Sequence, residues 1–242
     1  ATLLAGRYTV LKTEGTQNNH IGLPMTLLRL RPRHQAAVLE LGTNHFGEIA
    51  YLGGICLPTM CVITAIGPSH LEFFKSVAGV AREKLSLLRF LRPPALAVLN
   101  ADDPLLARSA ARSSGSSPLV ITYGLKQPAD FRACVAGGVG HPAAGMHFSV
   151  HGRSYSLPAL GEHNLSNALA ALAVCRLLGM SHAELCAGMK KIRLPAGRLQ
   201  LRKAGGISFL DDSYNANPFS LSQALRCFRR LPVAGRRIVV MG

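Results

Sequence analysis

Short apolar runs alternate with longer amphipathic stretches through the first half of the chain. The short runs end in Gly, Asn or an acid, as buried strands do; they are QAAVLELG, TMCVITAIG, ALAVLN and SPLVITYG. The longer stretches NHIGLPMTLLRL, SVAGVAREKLSLLRFL and DDPLLARSAARS have the spacing of helices. Strands that alternate with helices predict an α/β fold with a doubly wound, mostly parallel sheet.

The pattern changes between about 129 and 158, where polar and apolar residues alternate among many glycines. Such a stretch predicts a small antiparallel meander. The following segment EHNLSNALAALAVCRLLG predicts a long helix, with Asn164 or Ser166 as its cap. SHAELCAGMKKI predicts a second helix, capped by Ser181.

The connector LPAGRLQL marks a domain boundary, since Pro and Gly interrupt the pattern there. We therefore predict one domain over residues 1–193 and the start of a second α/β domain over 194–242. In the second, GISFLDD and RRIVVMG are predicted strands on either side of a helix. The opening ATLLAGRYTVLKT is typical of the end of a helix that runs into a strand, so both ends are expected to be cuts through a longer protein.

Composition limits the classes of function. Hydrophobic residues make up 48% of the 242, which is typical of a globular protein, and no apolar run is long enough to span a membrane. The six cysteines are scattered without metal-binding spacing, which favours free thiols in a reducing cytoplasm. The net charge of +15 indicates an anionic partner, but the basic residues are dispersed and aromatics are only 6%, so a small anion is favoured over nucleic acid.

Half of the 12 acidic residues lie at predicted strand ends or in the adjoining turns. Sites in α/β sheets form at strand ends, so some of these carboxylates are expected to be ligands. Asp102 and Asp103, in VLNADDP, are interpreted as mainly structural, because a strand-to-helix turn capped by Asp has the same sequence. The six acids are Glu40, Glu72, Asp102, Asp103, Asp211 and Asp212.

Eight segments, in a fixed order from about Lys12 to Gly242, together resemble the Mur ligases. They are KTEGTQNNHIGLPMTLL, AVLELGTNHFGEI, ITAIGPSHLEFF, AREK, VLNADDP, GEHNLSNALAALA, AGRLQ and DDSYNANP. DDSYNANP and NNHIGLPMTLL resemble the branch of the family that adds D-alanyl-D-alanine.

This resemblance implies an ATP-dependent amide-bond ligase of the bacterial cytoplasm. In that family ATP converts a carboxylate to an acyl phosphate, which an amine then attacks. Phosphoryl transfer between anions requires cations, and the implied cofactors are ATP and two Mg²⁺ ions. The implied substrates are a UDP-N-acetylmuramoyl tripeptide and D-alanyl-D-alanine, bound by a monomer that has no nucleic-acid partner.

The resemblance also assigns catalytic and metal-binding roles to Glu40, His70 and Lys84. Glu40 and His70 match magnesium ligands, and each follows a predicted strand. Lys84 matches a lysine that carbon dioxide carbamylates, which requires an amine that its site keeps deprotonated. The family usually has Lys-Gly-Glu at this point, whereas this chain has Lys84-Leu85-Ser86, so the acidic neighbour is missing.

Two further sets of residues are implied. The nucleotide would meet Asn164, Asn167, Arg198, Asp212 and Asn215. The other substrates would meet Thr13, Asn18, Asn19, His20, Ser213, Tyr214 and Asn217. Without the resemblance, the same residues read as helix caps and turns.

The phosphate loop of the family, GxxxxGK[ST], does not occur in this sequence. We therefore expect the chain alone to be inactive and the activity to belong to a longer parent protein. The alternatives are a sister Mur-type ligase or a folylpolyglutamate synthase, a basic nucleic-acid-binding fragment, and a non-catalytic relative.

Overall fold

The structure is a computed structural model in which parallel strands alternate with helices, so the predicted α/β class is confirmed. It describes residues 1–113, 118–135, 145–214, 218–233 and 235–241. None of the helices in these ranges combines the length and hydrophobicity needed to cross a bilayer. All six cysteines have free thiols, as expected.

The main sheet has four parallel strands in the order β3-β4-β5-β6. They are β3 (Met60–Ile63), β4 (Leu96–Asn100), β5 (Leu119–Gly124) and β6 (Phe131–Arg132). The predicted runs TMCVITAIG, ALAVLN and SPLVITYG supply the first three. Strands β1 (Val10–Lys12) and β2 (Ala36–Val38) form a separate parallel pair.

Helices follow most of these strands. They are α1 (Gly22–Leu27), α2 (Glu48–Cys56), α3 (Leu71–Phe74), α4 (Val77–Leu85), α5 (Pro104–Arg112), α6 (Glu162–Leu177), α7 (His182–Lys190) and α8 (Pro218–Arg230). The opening of the chain is a 3₁₀ turn, Leu4–Gly6, rather than the predicted end of an α-helix.

Only part of the predicted meander is antiparallel. Strands β7 (Cys134–Val135), β8 (Met146–Val150) and β9 (Arg153–Leu157) form that sheet. The start of the same stretch is β6, which pairs in parallel with β5 instead. Period-two alternation does not distinguish a strand that joins an existing sheet edge from one that begins a new sheet.

The two helix caps predicted beyond this sheet have different outcomes. At α6 the prediction of Asn164 or Ser166 is wrong, because the cap residue is Gly161 at φ 91° and no side chain caps the helix. Asn164 instead donates from Nδ2 to the carbonyl of Leu160 at 2.7 Å. At α7 the predicted Ser181 cap is confirmed, and Ser181 forms a reciprocal capping box with Glu184.

Beyond the connector, β10 (Gln200–Ala204) and β11 (Ile207–Asp211) form an antiparallel hairpin. The prediction of a strand in GISFLDD is confirmed. The prediction of a strand in RRIVVMG is wrong, because described residues 235–241 form no strand and Val240 is 91% exposed. A strand needs a neighbour to pair its backbone, and among the described residues no strand pairs with this segment.

Strand β4 separates two hydrophobic cores. Val98 packs with buried residues of α6, including Leu169 and Leu172. Ala97 and Leu99 face the other side, where Leu106 of α5 and the β3 residues Cys61 and Ile63 form a second core. A parallel strand covered on both faces must be apolar throughout, which explains the run ALAVLN. The carboxyl ends of β3 and β4 are thereby held at one edge of the sheet.

Candidate functional site

Glu40 follows β2 and is held by two residues of the loop between β1 and α1. Its backbone N–H donates to Thr13 Oγ1 at 2.9 Å. Asn18 Nδ2 donates to Glu40 Oε1, also at 2.9 Å. The Gly42 N–H then donates to the Asn18 carbonyl at 2.8 Å, which fixes the loop on both sides of Glu40. Thr13 and Asn18, which the sequence suggested as substrate contacts, therefore orient a carboxylate.

Asn19 and His20 come next in the same loop. The Asn19 side chain accepts hydrogen bonds from the Ile21 and Gly22 N–H groups, at 3.1 and 2.9 Å, and so organises the start of α1. His20 is exposed. Their substrate-binding roles stay predictions.

Lys84 extends from α4 to the carboxyl end of β3. Its Nζ donates to the Ala65 carbonyl at 3.0 Å. Burial lowers the pKa of the Lys84 ammonium from its ordinary value, and the nearby Asp103 carboxylate opposes that shift. A lysine in this environment loses its proton more readily than one in water, which is the condition for reaction with carbon dioxide.

His70 lies in the turn after β3 and immediately precedes α3. Its backbone is left-handed, at φ 48°, and the residue is exposed. The ring of His70 approaches that of Phe74 edge-on, with centroids 6.4 Å apart. A non-glycine residue in the left-handed region is uncommon, and here it marks the sharp turn between β3 and α3.

The NADDP turn joins three strand ends, so its interpretation as structural is confirmed. Asn100 Nδ2 donates to the Thr64 carbonyl at 2.8 Å. Asp103 Oδ2 accepts from the Ile66 N–H at 2.6 Å, while its other oxygen caps α5. Asp102 accepts from the three consecutive backbone N–H groups of residues 125–127.

The sequence interpretation missed Glu83, which is 4% exposed. Its carboxylate accepts from the Gly47 N–H at 2.9 Å and from the Ile49 N–H at 2.8 Å, at the start of α2. Periodicity alone does not distinguish a helical Glu beside Lys84 from a surface residue. The sequence feature that could have pointed to Glu83 is the glycine-containing loop TNHFGEI, because N–H groups at the start of a helix require acceptors.

A cavity of about 760 Å³ brings five of the predicted site residues together. They are Glu40, Asn164, Asn167, Arg198 and Asp212. His163, which the sequence did not suggest, also lines the cavity, and its enclosed Nδ1 has no hydrogen-bond partner among the described residues. Burial lowers the pKa of the His163 imidazole, so the ring is neutral near pH 7. His70 and Lys84 are not among the residues that line this cavity.

The connector and the loop after β11 are bound to each other beside the cavity. Leu199 donates its N–H to Asp212 Oδ1 at 3.0 Å, and Tyr214 donates its N–H to the Gly197 carbonyl at 3.1 Å. The Arg198 guanidinium stacks 4.2 Å from the centre of the Tyr214 ring.

The rest of that loop is only partly described. Ser213 Oγ donates to Asp211 Oδ1 at 2.7 Å, so its hydroxyl is engaged within the loop. Asn215 and Asn217 lie outside the described residues.

A second cavity, of about 640 Å³, lies between α5 and β5. Its acids Asp102 and Asp130 already accept backbone N–H groups, and its other walls are mainly small apolar residues. This cavity therefore offers few free polar groups to a charged ligand.

The resemblance implies Mg²⁺ bound by Glu40, His70 and Lys84. These residues fit that metal only if Lys84 is carbamylated, because an unmodified lysine offers no oxygen ligand. Within the described ranges, no three His, Cys, Asp or Glu side chains form a metal-binding group. Glu40 supplies carboxylate oxygens, which suit magnesium, and it lies on the cavity wall. Lys84 has the lowered amine pKa that carbamate formation needs. Glu40 and a modified Lys84 would supply oxygen ligands, and His70 a nitrogen ligand.

The sequence model of the Mur ligase middle domain matches residues 1–175. The chain therefore belongs to the Mur ligase family.

Two curated relatives that match the chain over nearly its whole length carry the same name. The chain is 33% identical, over 99% of its length, to the UDP-N-acetylmuramoyl-tripeptide--D-alanyl-D-alanine ligase of Bacillus subtilis, of which it covers 51%. It is 34% identical, over its full length, to the Escherichia coli protein of the same name, of which it covers 53%. The chain thus spans about half the length of the curated relatives it matches.

Solved structures give a similar result. MurF from Acinetobacter baumannii superposes with a TM-score of 0.86 at 32% identity, over 96% of this chain and 50% of that one. MurF ligase from Thermotoga maritima, solved in complex with ADP, superposes with a TM-score of 0.84 at 26% identity, over 96% of this chain and 53% of that one.

Proposed function

We propose that this chain is the nucleotide-binding part of an ATP-dependent ligase of peptidoglycan precursor synthesis. The parent enzyme would join D-alanyl-D-alanine to a UDP-N-acetylmuramoyl tripeptide through an acyl phosphate. The observation that carries this proposal is the cavity that joins Glu40 to Asn164, Asn167, Arg198 and Asp212. The names of the full-length relatives support the choice of substrates.

The nucleotide would lie along α6 and the connector. Asn164 and Asn167 are three residues apart on one helix, so they share a face and present two amides to the cavity. Amides both donate and accept hydrogen bonds, as an adenine edge requires. Arg198 would bind phosphate, because its planar cation matches phosphate oxygens, and Asp212 would hold the connector through the Leu199 N–H. Asn215 is proposed to join this set.

Glu40, His70 and Lys84 are proposed to hold Mg²⁺, two ions in all, with Lys84 as its carbamate. Bound magnesium would neutralise charge on the phosphates and on the acid that receives the phosphoryl group. Thr13 and Asn18 would keep the Glu40 carboxylate at the cavity edge. Asn19, His20, Ser213, Tyr214 and Asn217 are proposed to face the muramoyl tripeptide and the dipeptide, together with Thr13 and Asn18. We further propose that the parent is a monomer of the bacterial cytoplasm.

Nucleotide binding by the chain itself tests the first part of the proposal. We expect Asn164→Ala and Arg198→Ala each to weaken binding of a fluorescent ADP analogue at least about tenfold, the effect of losing a hydrogen bond to a charged or buried group. Arg193→Ala is the matched control, because Arg193 is an exposed arginine immediately before the connector, and its hydrogen bonds in the described structure go to the backbone carbonyls of Lys190 and Ile192. Equal losses in all variants would refute the cavity as the nucleotide site.

The acceptor is tested in the full-length parent by comparing D-alanyl-D-alanine with single amino acids and with glutamate on a folate acceptor. Turnover with the dipeptide supports the proposal, and turnover only with the others would indicate a sister ligase or a folylpolyglutamate synthase. The net charge of +15 also requires a test of nucleic-acid binding. Salt-sensitive binding to random duplex DNA that is tighter than binding to ADP would favour that alternative.

A further inference from the structure

Glu83 carries a buried charge directly beside Lys84, and no role proposed above uses it. The residue is 4% exposed, and its two carboxylate oxygens accept the N–H groups of Gly47 and Ile49. These N–H groups belong to the amino end of α2, where backbone donors lack partners within the helix and the helix dipole is positive. A carboxylate on α4 is therefore bound to the amino end of α2.

The loop that enters α2 is compact. Glu48 Oε2 accepts from the Asn44 N–H at 2.6 Å and from the His45 N–H at 3.0 Å. Thr43 Oγ1 lies 3.2 Å from the same Glu48 oxygen and 3.5 Å from Glu83 Oε1. The loop over residues 43–48 begins three residues after Glu40, so only a short stretch of chain separates it from that residue.

The same loop contacts the helix that follows His70. The rings of His45 and Phe73 lie 4.1 Å apart, and those of Phe46 and Phe74 lie 5.1 Å apart, edge to face. The Arg82 guanidinium of α4 stacks 4.5 Å from the centre of the Phe46 ring. Aromatic and cation–π contacts of this kind each add to the stability that burial supplies.

We propose that Glu83 is a positioning residue that sets the spacing of the three candidate metal-binding segments. It fastens the loop after Glu40 to the helix that carries Lys84, and the loop's aromatic pairs connect both to α3, which begins after His70. The inference rests on the proposed function, because the roles of Glu40, His70 and Lys84 belong to it.

A carboxylate suits this position better than the amide of similar size. Two backbone N–H donors converge on Glu83, one on each oxygen. A glutamine has one oxygen and one NH₂ group, so it would lose one acceptor and place a donor against a donor. Glu83→Gln thus perturbs the connection with little change of side-chain volume.

The first measurement is hydrogen exchange at the Gly47 and Ile49 amides of Glu83→Gln. We expect protection there to fall at least about tenfold, the effect of losing a hydrogen bond to a charged acceptor. The second measurement is ADP binding with and without Mg²⁺. We expect ADP binding without the metal to be unchanged and the Mg²⁺ concentration for half-maximal enhancement to rise about tenfold.

Asp130→Asn is the matched control. Asp130 is also a carboxylate that accepts a backbone N–H, from Thr122 at 2.8 Å, but it lies on the second cavity. Thr122 N–H and Oγ1 both donate to one Asp130 oxygen, and asparagine keeps one oxygen, so the variant removes a carboxylate without removing that acceptor. It should therefore leave the Mg²⁺ dependence unchanged. Phe46→Leu should shift that dependence in the same direction as Glu83→Gln, because it weakens the loop's contacts with α3 and α4 without touching Glu83. It serves as the test if Glu83→Gln does not fold.

The outcomes separate the two proposals. If the unmodified protein binds no nucleotide, the proposed function fails. If it binds ADP in a Mg²⁺-dependent way but Glu83→Gln and Phe46→Leu keep that dependence despite lost protection, Glu83 is only structural. Our inference is then wrong, while the proposed function stands.

Discussion

Replacement of Asp103 by alanine should destabilise the sheet edge that carries the site. Asp103 Oδ1 accepts from the Leu105 and Leu106 N–H groups at 3.0 and 3.2 Å and so caps α5. Its other oxygen accepts from the Ile66 N–H at 2.6 Å, in the turn after β3. Loss of a cap costs about 0.5–2 kcal/mol, and loss of a half-buried hydrogen bond to a charged group costs about 1.5–3 kcal/mol. Because the two share one carboxylate and do not add fully, we expect a loss of about 2–4 kcal/mol in the free energy of unfolding.

Asp103→Ser separates the two contributions. Serine is a good cap, but its single hydroxyl cannot serve both α5 and Ile66, so its cost should be only that of the Ile66 hydrogen bond. Urea denaturation measures the free energies, and hydrogen exchange at Ile66 reports the second contact directly. Equal free energies of unfolding for Ala and Ser variants, or a cost below about 0.5 kcal/mol for Ala, would refute the reasoning.

Three further predictions concern α6 and α7. Leu172→Ala removes a fully buried side chain and should lower the free energy of unfolding, measured by urea denaturation, by about 2–5 kcal/mol. A loss below about 1 kcal/mol would show that neighbouring side chains fill the space that Leu172 leaves. Ser181→Ala removes the cap of α7 and should cost about 0.5–2 kcal/mol, again by urea denaturation. Hydrogen bonds from Ser181 and Arg7 lower the pKa of Glu184 to about 2, so the contribution of Glu184 to stability is complete above its ordinary pKa of 4.5 and is lost as pH falls through about 2. Exchange protection in the first turn of α7 should fall over that range, and Glu184→Gln should abolish the pH dependence.

The main strands and the Ser181 cap could be predicted because local sequence determines them. The run ALAVLN is apolar at every position since β4 is buried on both faces, and Ser181 is followed three residues later by Glu184, as a capping box requires. The partner of β6 and the state of residues 235–241 could not be predicted in the same way. Both depend on which backbone lies alongside, and no local pattern encodes that.

The site residues were found mainly through resemblance to a family, since spacing alone favoured caps and turns. The structure brings Glu40 and four of the nucleotide-binding candidates to one cavity. It also gives Thr13 and Asn18 a role that sequence did not suggest, because a hydrogen bond to Glu40 depends on the path of two loops. Glu83 was missed for the same reason, because the N–H groups that donate to it, of Ile49 and Gly47, lie 34 and 36 residues away in the sequence.

The burial of β4 on both faces has a consequence for how the two cores beside it unfold. Val98 belongs to one core, and Ala97 and Leu99 belong to the other. Neither core can melt alone without exposing a strand that the other still needs, so the two should behave as one cooperative unit. A destabilising substitution on the α5 side of the sheet, far from the cavity, would then also lower the stability of α6, where Asn164 and Asn167 lie.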